Sequence, residues 1–344
     1  MVKKRHWSQL PERRLLELQV RDLKLKTQGT LVQKRVKRLY QELEQRQLVM
    51  RPKILIGDEW YSPDGVVAIA VPFYLFHPRL IQLEKKWMDE AEGEDLRWFM
   101  RIIRHEAGHC IDHAFQLSKT KKWRGLFGSP DQTYQPEWYR PRLYSRNYVR
   151  NLEHGYAQSH PDEDFAETFA VWLNPDSHWK EVYKNWPGAI KKLRYVDSQM
   201  RRLRNRPPIH GMGERVYSFS RSQITLKKYF QRKIKQRAEE NPDFFDTDLK
   251  RIFSGHQRLP LKKYGAEVLI EKRHDQLVRS IGRWSGERLY VVRNLLQRIN
   301  ERVSEKRLRM DKEKPTHQTE LELGIYLSSL ITHYRLTGRL KRDL

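Results

Sequence analysis

Cysteine is almost missing from this chain: Cys110 is the only one in 344 residues, so no intramolecular disulfide can form. That usage fits a reducing compartment. Long apolar runs are missing too. A membrane-crossing helix needs about 20 consecutive apolar residues, and the strongest local candidate, "GVVAIAVPFYLF", is short and contains Pro72. The first residues, "MVKKRHWSQLPERRLLELQV", are basic but carry no continuous apolar segment and no small-residue cleavage site. No secretory signal is read there, and a soluble, cytoplasmic protein is expected. Internal repeats and low-complexity tracts are absent as well.

Acidic residues are in short supply. There are 43 against 68 lysines and arginines, a formal net charge of +25. Such a surface attracts polyanions, so nucleic-acid contact is one class of partner to weigh. The charge is spread along helix-like segments, however, and no helix-turn-helix spacing, zinc-finger pattern or glycine-rich phosphate loop accompanies it. Hydrophobic residues make up 38% of the chain, enough to build a core and to exclude wholesale disorder.

The length favours two domains. Residues 9 to 48 read as helix, with Leu15, Leu16, Leu18 and Val20, then Leu31, Val32, Val36, Leu39, Tyr40 and Leu43, at near-helical spacing around Gly29. Residues 1–50 are thus expected to be packing helices. Past Pro52, short β-favouring runs (Ile54 to Ile56, Val66 to Val71) flank Ser62-Pro63-Asp64-Gly65, the signature of a small hairpin. "EDLRWFMRIIRHEAGHCIDHAFQL" reads as one long helix whose buried stripe is Leu96, Phe99, Met100, Ile103, Ala107, Ile111 and Phe115. A long connection rich in Gly, Pro and aromatics (Tyr134, Trp138, Tyr139, Tyr144) follows, and then "DEDFAETFAVWL" returns to helix after Pro161. "NRPPIHGMGE", residues 205–214, is the expected linker between a domain over 51–204 and a basic helical region over 215–344. In that last region Leu289, Val292, Leu295, Leu296 and Ile299 read as a core of its own, with Trp284 and Tyr290 as packing anchors. The fold class expected is α+β, mostly helical, with a small sheet.

"RHEAGHCIDH", residues 104–113, carries the chemistry. On a helix, residues i and i+4 share a face. His105 and His109 can therefore offer two imidazole nitrogens to one cation, with Glu106 beside them to take a proton from water. Three protein ligands with one open position characterise a catalytic zinc site, so a third ligand is required. His113 lies two turns beyond His105, about 12 Å along the axis, too far to share a cation with it, and Asp112 has the same difficulty. The remaining donors are His154, His160, Asp162, Glu163, Asp164 and Glu167. Among them Glu163 and Glu167, at i and i+4, form a pair suited to one metal contact and one hydrogen bond to a ligating imidazole. Cys110, one residue from His109, points about 100° away on a helix and reads as a small buried thiol.

"RHEAGHCIDHAF" followed by "YAQSHPDEDFAETFAVWL" resembles the zinc-binding metallopeptidases of the gluzincin group, and more distantly the lethal-factor-like and Mlc-titration-factor-like peptidases. The resemblance is carried by residues 104 to 173 and extends more weakly over 1 to 200. It implies a zincin-like catalytic domain holding one zinc ion. Under it the metal ligands fall on His105, His109 and Glu163, the general base on Glu106, a carboxylate orienting a histidine on Glu167, and an oxyanion-supporting hydroxyl on Tyr156. Some relatives carry a cysteine-rich zinc ribbon, which a chain with Cys110 alone cannot build. The implied activity is hydrolysis of a peptide or protein substrate. Independently of the resemblance, the strand expected at Val66 to Val71 could dock substrate by adding it as an extra strand. The alternatives are a basic nucleic-acid-associated protein or an interaction scaffold with a vestigial zinc site.

Overall fold

The computed structural model describes residues 6–337 except 89, 134–141, 143–144, 153–154, 212–215, 237–245 and 256–257. Contacts divide the chain into two units, residues 1–232 and 233–344. The fold is α+β and predominantly helical.

In the first unit, α1 spans Glu12–Leu16 and α2 Leu31–Gln45. The stretch expected to be helix from residue 9 is broken, because Lys24 takes a left-handed conformation after a short 3-10 turn. Leu15, Val20 and Leu23 still reach the core, but from separate short segments. Thr30 starts α2 by accepting the Gln33 amide hydrogen on its hydroxyl. Val32, Val36, Leu39 and Leu43 form the buried stripe of that helix. On the same face the buried Glu42 carboxylate accepts two 2.7 Å hydrogen bonds from Arg104.

β1 (Lys53–Gly57) and β2 (Ala68–Pro72) pair in parallel, Lys53 opposite Ala68 and Gly57 opposite Pro72. The expected hairpin is therefore absent. Its turn does form, with Val66 N–H donating to the Pro63 carbonyl and Gly65 at φ +70°. That turn lies inside a crossover, and the connection is too long for the two-residue loop of a tight hairpin. Tyr61, within the crossover, exchanges both backbone hydrogen bonds with Ala70 on the far side of β2. The Val67 amide donates to the Gly211 carbonyl. β2 is thus already paired on both sides, which leaves no edge for a substrate strand along Val66 to Val71. All five of its residues are buried, as an apolar run covered on both faces should be.

α3 spans Pro78–Met88, α4 Leu96–Phe115, α5 Lys121–Phe127, α6 Pro161–Leu173, α7 Trp179–Val182, α8 Pro187–Arg202 and α9 Leu226–Gln236. Asp95 caps α4 through the Trp98 amide. Phe99, Met100, Ile103, Ala107 and Ile111 are buried as the periodicity predicts, whereas Leu96 sits 45% exposed in the first turn. α6 opens on Pro161, whose missing N–H costs nothing at that position. The His160 ring accepts the Asp162 amide hydrogen on Nδ1 and donates from Nε2 to the Gln132 carbonyl. The buried Lys192 of α8 ties down α6 by pairing with Asp164.

Residues 205–211 do not behave as a linker. The Ile209 and His210 amides both donate to the Ala114 carbonyl, which the end of α4 leaves otherwise unpaired, and Asn205 donates to Gln47. Leu226, Tyr229 and Phe230 of α9 are buried in the first core. The chain consequently divides after Arg232, later than the 205–214 segment. In the second unit α10 (Asp246–Ile252), α11 (Leu261–Tyr264), α12 (Ala266–Ser285), α13 (Leu289–Glu305) and α14 (Thr316–Thr337) enclose their own core. Val292, Leu295, Leu296 and Ile299 are buried there. Trp284 is no packing anchor: in the last turn of α12, before Gly286 turns the chain, its ring is 85% exposed. No helix among the described residues is long and apolar enough to cross a membrane.

Candidate metal centre

α4 and α6 cross in close contact because Gly108 and Ala166 meet. A Cβ placed on Gly108 would stand 2.7 Å from the Ala166 Cα. This approach brings Glu163, a turn upstream on α6, against the face of α4 that carries both histidines. The Nε2 atoms of His105 and His109 lie 3.1 Å apart. The Glu163 Oε2 is 2.9 Å from the first and 3.3 Å from the second. Ligands placed tetrahedrally at about 2.1 Å from a zinc ion would be about 3.4 Å apart, close to these edges. The three are the metal-capable group of His, Cys, Asp and Glu side chains among the described residues. Despite the short distances, Glu163 Oε2 has no hydrogen-bond partner. Two nitrogens and an oxygen converging with a lone pair left over suit a cation.

Glu167 sets the histidine tautomer. Its carboxylate is fully buried. Oε1 accepts from His105 Nδ1–H at 2.8 Å and from Asn151 Nδ2 at 2.8 Å, and Oε2 accepts the Leu152 amide hydrogen at 2.7 Å. With its proton on Nδ1, His105 presents the Nε2 lone pair to Glu163 and His109. Asn151 lies in the weakly patterned connection, and no periodicity or motif marks it in the sequence.

The electrostatics ask for positive charge. Burial alone would lower the imidazole of His105, but the adjoining Glu163 carboxylate and the hydrogen bond to Glu167 outweigh that and raise it well above the usual histidine range. His109 moves the same way, burial again opposed by the charge of Glu163. Burial would raise the Glu163 carboxyl; the neighbouring His109 and His105 rings instead hold it well below the ordinary value. A proton or a metal ion satisfies this demand equally, and the convergent donors favour the metal. Glu106 differs. Burial pushes its carboxyl up, the two histidines offset only part of that, and Oε2 has no hydrogen-bond partner.

A cavity of about 410 Å³ opens over the three donors. α4 and α6 form its floor, and the β1–β2 crossover forms one wall through Trp60, Tyr61 and Asp64. Tyr156 lines it, its ring centroid 5.6 Å from that of His105. His113 stands at the rim, its Nδ1–H donating to the Val66 carbonyl at 3.1 Å. The other sequence candidates are used elsewhere. Asp112 accepts the Ser118 amide and hydroxyl hydrogens, His160 caps α6, and Asp164 pairs with Lys192. His154 and the aromatics Tyr134, Trp138, Tyr139 and Tyr144, expected as a cleft wall, lie outside the described residues. Cys110 is fully buried under β2, its thiol pushed up to about 12 by burial, and is inert at neutral pH.

Two helices deliver a His-His-carboxylate set to the floor of an open cleft, an arrangement that could hold a metal ion with a position left open. Residues 3–183 match the model of the family described as "Putative zinc-binding metallo-peptidase". The chain belongs to that family. No curated protein and no solved structure matches it.

Proposed function

We propose that the protein is a zinc-dependent peptidase in which His105, His109 and Glu163 hold a single zinc ion. Glu106 is its general base and Tyr156 its oxyanion donor. Bound zinc would supply Lewis acidity, lowering the pKa of water and polarising a carbonyl. Glu106 receives the proton of the attacking water and passes it to the departing amine. Burial raises this carboxyl and so makes it a stronger proton acceptor than an exposed glutamate, which suits a general base. The Tyr156 hydroxyl donates to the oxygen on which negative charge develops. Glu167 and Asn151 keep the His105 ring in one orientation and one tautomer, and Trp60 and Tyr61 shield one side of the cleft from water.

The observation that carries this reading is Glu106, a buried side chain lining the cavity beside the three convergent donors, whose Oε2 has no hydrogen-bond partner. In a purely structural role such a group would be paired. Glu106→Gln keeps the shape and removes the base. It should retain zinc and lose hydrolysis by about 10²- to 10⁴-fold. Full activity in that variant would refute the assignment of the base, and undiminished zinc content in Glu163→Ala would refute that of the third ligand.

A further inference from the structure

Glu167 can orient His105 only if its own oxygens are held in place. Two of their three hydrogen-bond donors, the Asn151 side chain and the Leu152 amide, come from residues 145–152, a segment with no helix or strand of its own. Side-chain and backbone anchors must therefore fix that segment. Three of them lie toward α7 and α8: the Ala189 amide donates to the Arg146 carbonyl, Lys192 to the Asn147 carbonyl, and the Arg150 amide to the Tyr183 hydroxyl. A fourth anchor stands on the helix of the two histidines. Arg101, half-buried on α4 one turn before His105, donates from its guanidinium to the Asn151 carbonyl. The Asn151 side chain returns one N–H to the Arg101 carbonyl at 3.3 Å and gives one to Glu167 at 2.8 Å. Both acceptors are oxygens, so these bonds fix which way the amide points and use both of its hydrogens.

We infer that Arg101 is a positioning residue for the metal centre, acting through Asn151 and Glu167 on the His105 ring. The inference rests on the ligand assignment proposed above and extends it by one residue. The contacts close a ring: from one turn of α4 out to residues 151–152, across to Glu167 on α6, and back to the next turn of α4 at His105. Without the guanidinium the Asn151 carbonyl loses that bond, and the two donors to Glu167 are no longer tied to α4. Glu167 then holds the His105 Nδ1–H less firmly, and Nε2 no longer keeps one bearing toward His109 and Glu163. Contacts that support a ligating histidine contribute about 10- to 100-fold in metal affinity. Arg101 is two links from the ring, so the lower end, about tenfold, is expected.

The test measures zinc affinity of the full chain by competition with a chelating dye, with circular dichroism confirming that each variant is folded. Arg101→Met keeps the apolar stem and removes the donors, and should weaken zinc about tenfold. In a Glu167→Gln background the same substitution should add less than about twofold, since the chain of contacts is already cut; independent effects would multiply. Arg101→Lys retains a cationic donor and should recover part of the loss. Asn151→Ala should reproduce the loss and be equally silent beside Glu167→Gln, so the cycle can be completed even if Arg101→Met does not fold. Tyr183→Phe removes an anchor on the far side of the segment and should leave zinc affinity within about twofold. Unchanged affinity in Arg101→Met, a tenfold loss that persists beside Glu167→Gln, or an equal loss in Tyr183→Phe would overturn the inference and leave the ligand assignment standing. If the unsubstituted chain binds no zinc, the ligand assignment and the inference fall together.

Discussion

Gly108→Ala should weaken zinc binding without touching any ligand. A Cβ at residue 108 would lie 2.7 Å from the Ala166 Cα, 3.1 Å from its carbonyl oxygen and 3.2 Å from the Phe169 Cβ. Carbon atoms pack best at about 3.5–4.0 Å, so α6 must retreat from α4 by about 0.8 Å or more. Glu163 rides on α6 and the two histidines on α4, while metal–ligand distances tolerate only about ±0.2 Å. Overpacking of this kind costs about 1–3 kcal/mol. Replacing glycine by alanine within a helix gains up to about 1 kcal/mol, which partly masks the loss. Gly125 on α5 supplies the control, since its added Cβ would meet nothing within 4 Å. Gly125→Ala should therefore show the helix gain alone, and its melting temperature should exceed that of Gly108→Ala by several degrees, about 2–4 °C per kcal/mol at this size. Competition titration with a chelating dye should show zinc bound at least about tenfold more weakly in Gly108→Ala. If both variants melt together and bind zinc equally, the α4–α6 approach does not set the ligand spacing.

Two further perturbations address stability. Glu42→Ala leaves the buried Arg104 guanidinium without its bidentate partner on the turn that carries His105, and should cost about 3–5 kcal/mol in chemical denaturation; the double change Glu42→Leu with Arg104→Met should recover much of it, and a loss below about 1 kcal/mol would contradict the role given to the pair. In the second unit, hydrogen bonds from Arg302 and then Lys306 lower the Asp246 carboxyl to about 2. A carboxyl lower in the folded state than its unfolded value of about 3.9 contributes stability above about pH 4 and loses it as pH falls towards 2. Thermal melts should therefore show Asp246→Asn less stable than the parent at pH 5, with the gap closing by pH 2, and a gap independent of pH would refute the assignment.

The local elements that carry the site could be read from residue order. Apolar spacing defines the helix bearing His105, Glu106 and His109, and Pro161 followed by three acidic residues marks the start of the helix bearing Glu163 and Glu167. Both follow from the 3.6-residue period and from end chemistry that depends on near neighbours. The fold class and the self-contained core around Val292, Leu295, Leu296 and Ile299 were legible for the same reason. The strand pairing was not. A turn signal at Ser62 to Gly65 has the same composition in a hairpin and in a crossover, and only the packing of Tyr61 against Ala70 distinguishes them. The end of the first unit was equally hidden, because two prolines and two glycines look like a linker until the Ala114 carbonyl recruits the amides of Ile209 and His210.

By itself the sequence determined which donors could exist and which two would share a helical face, since that depends on residue type and a spacing of four. Tertiary structure alone decided that Glu163 meets both imidazoles and that Asn151 and the Leu152 amide lock Glu167. Those facts depend on how closely two helices approach at Gly108 and Ala166 and on which loops fold over them. Such distances between segments remote in the chain are set by packing and leave no periodic trace in the order of residues.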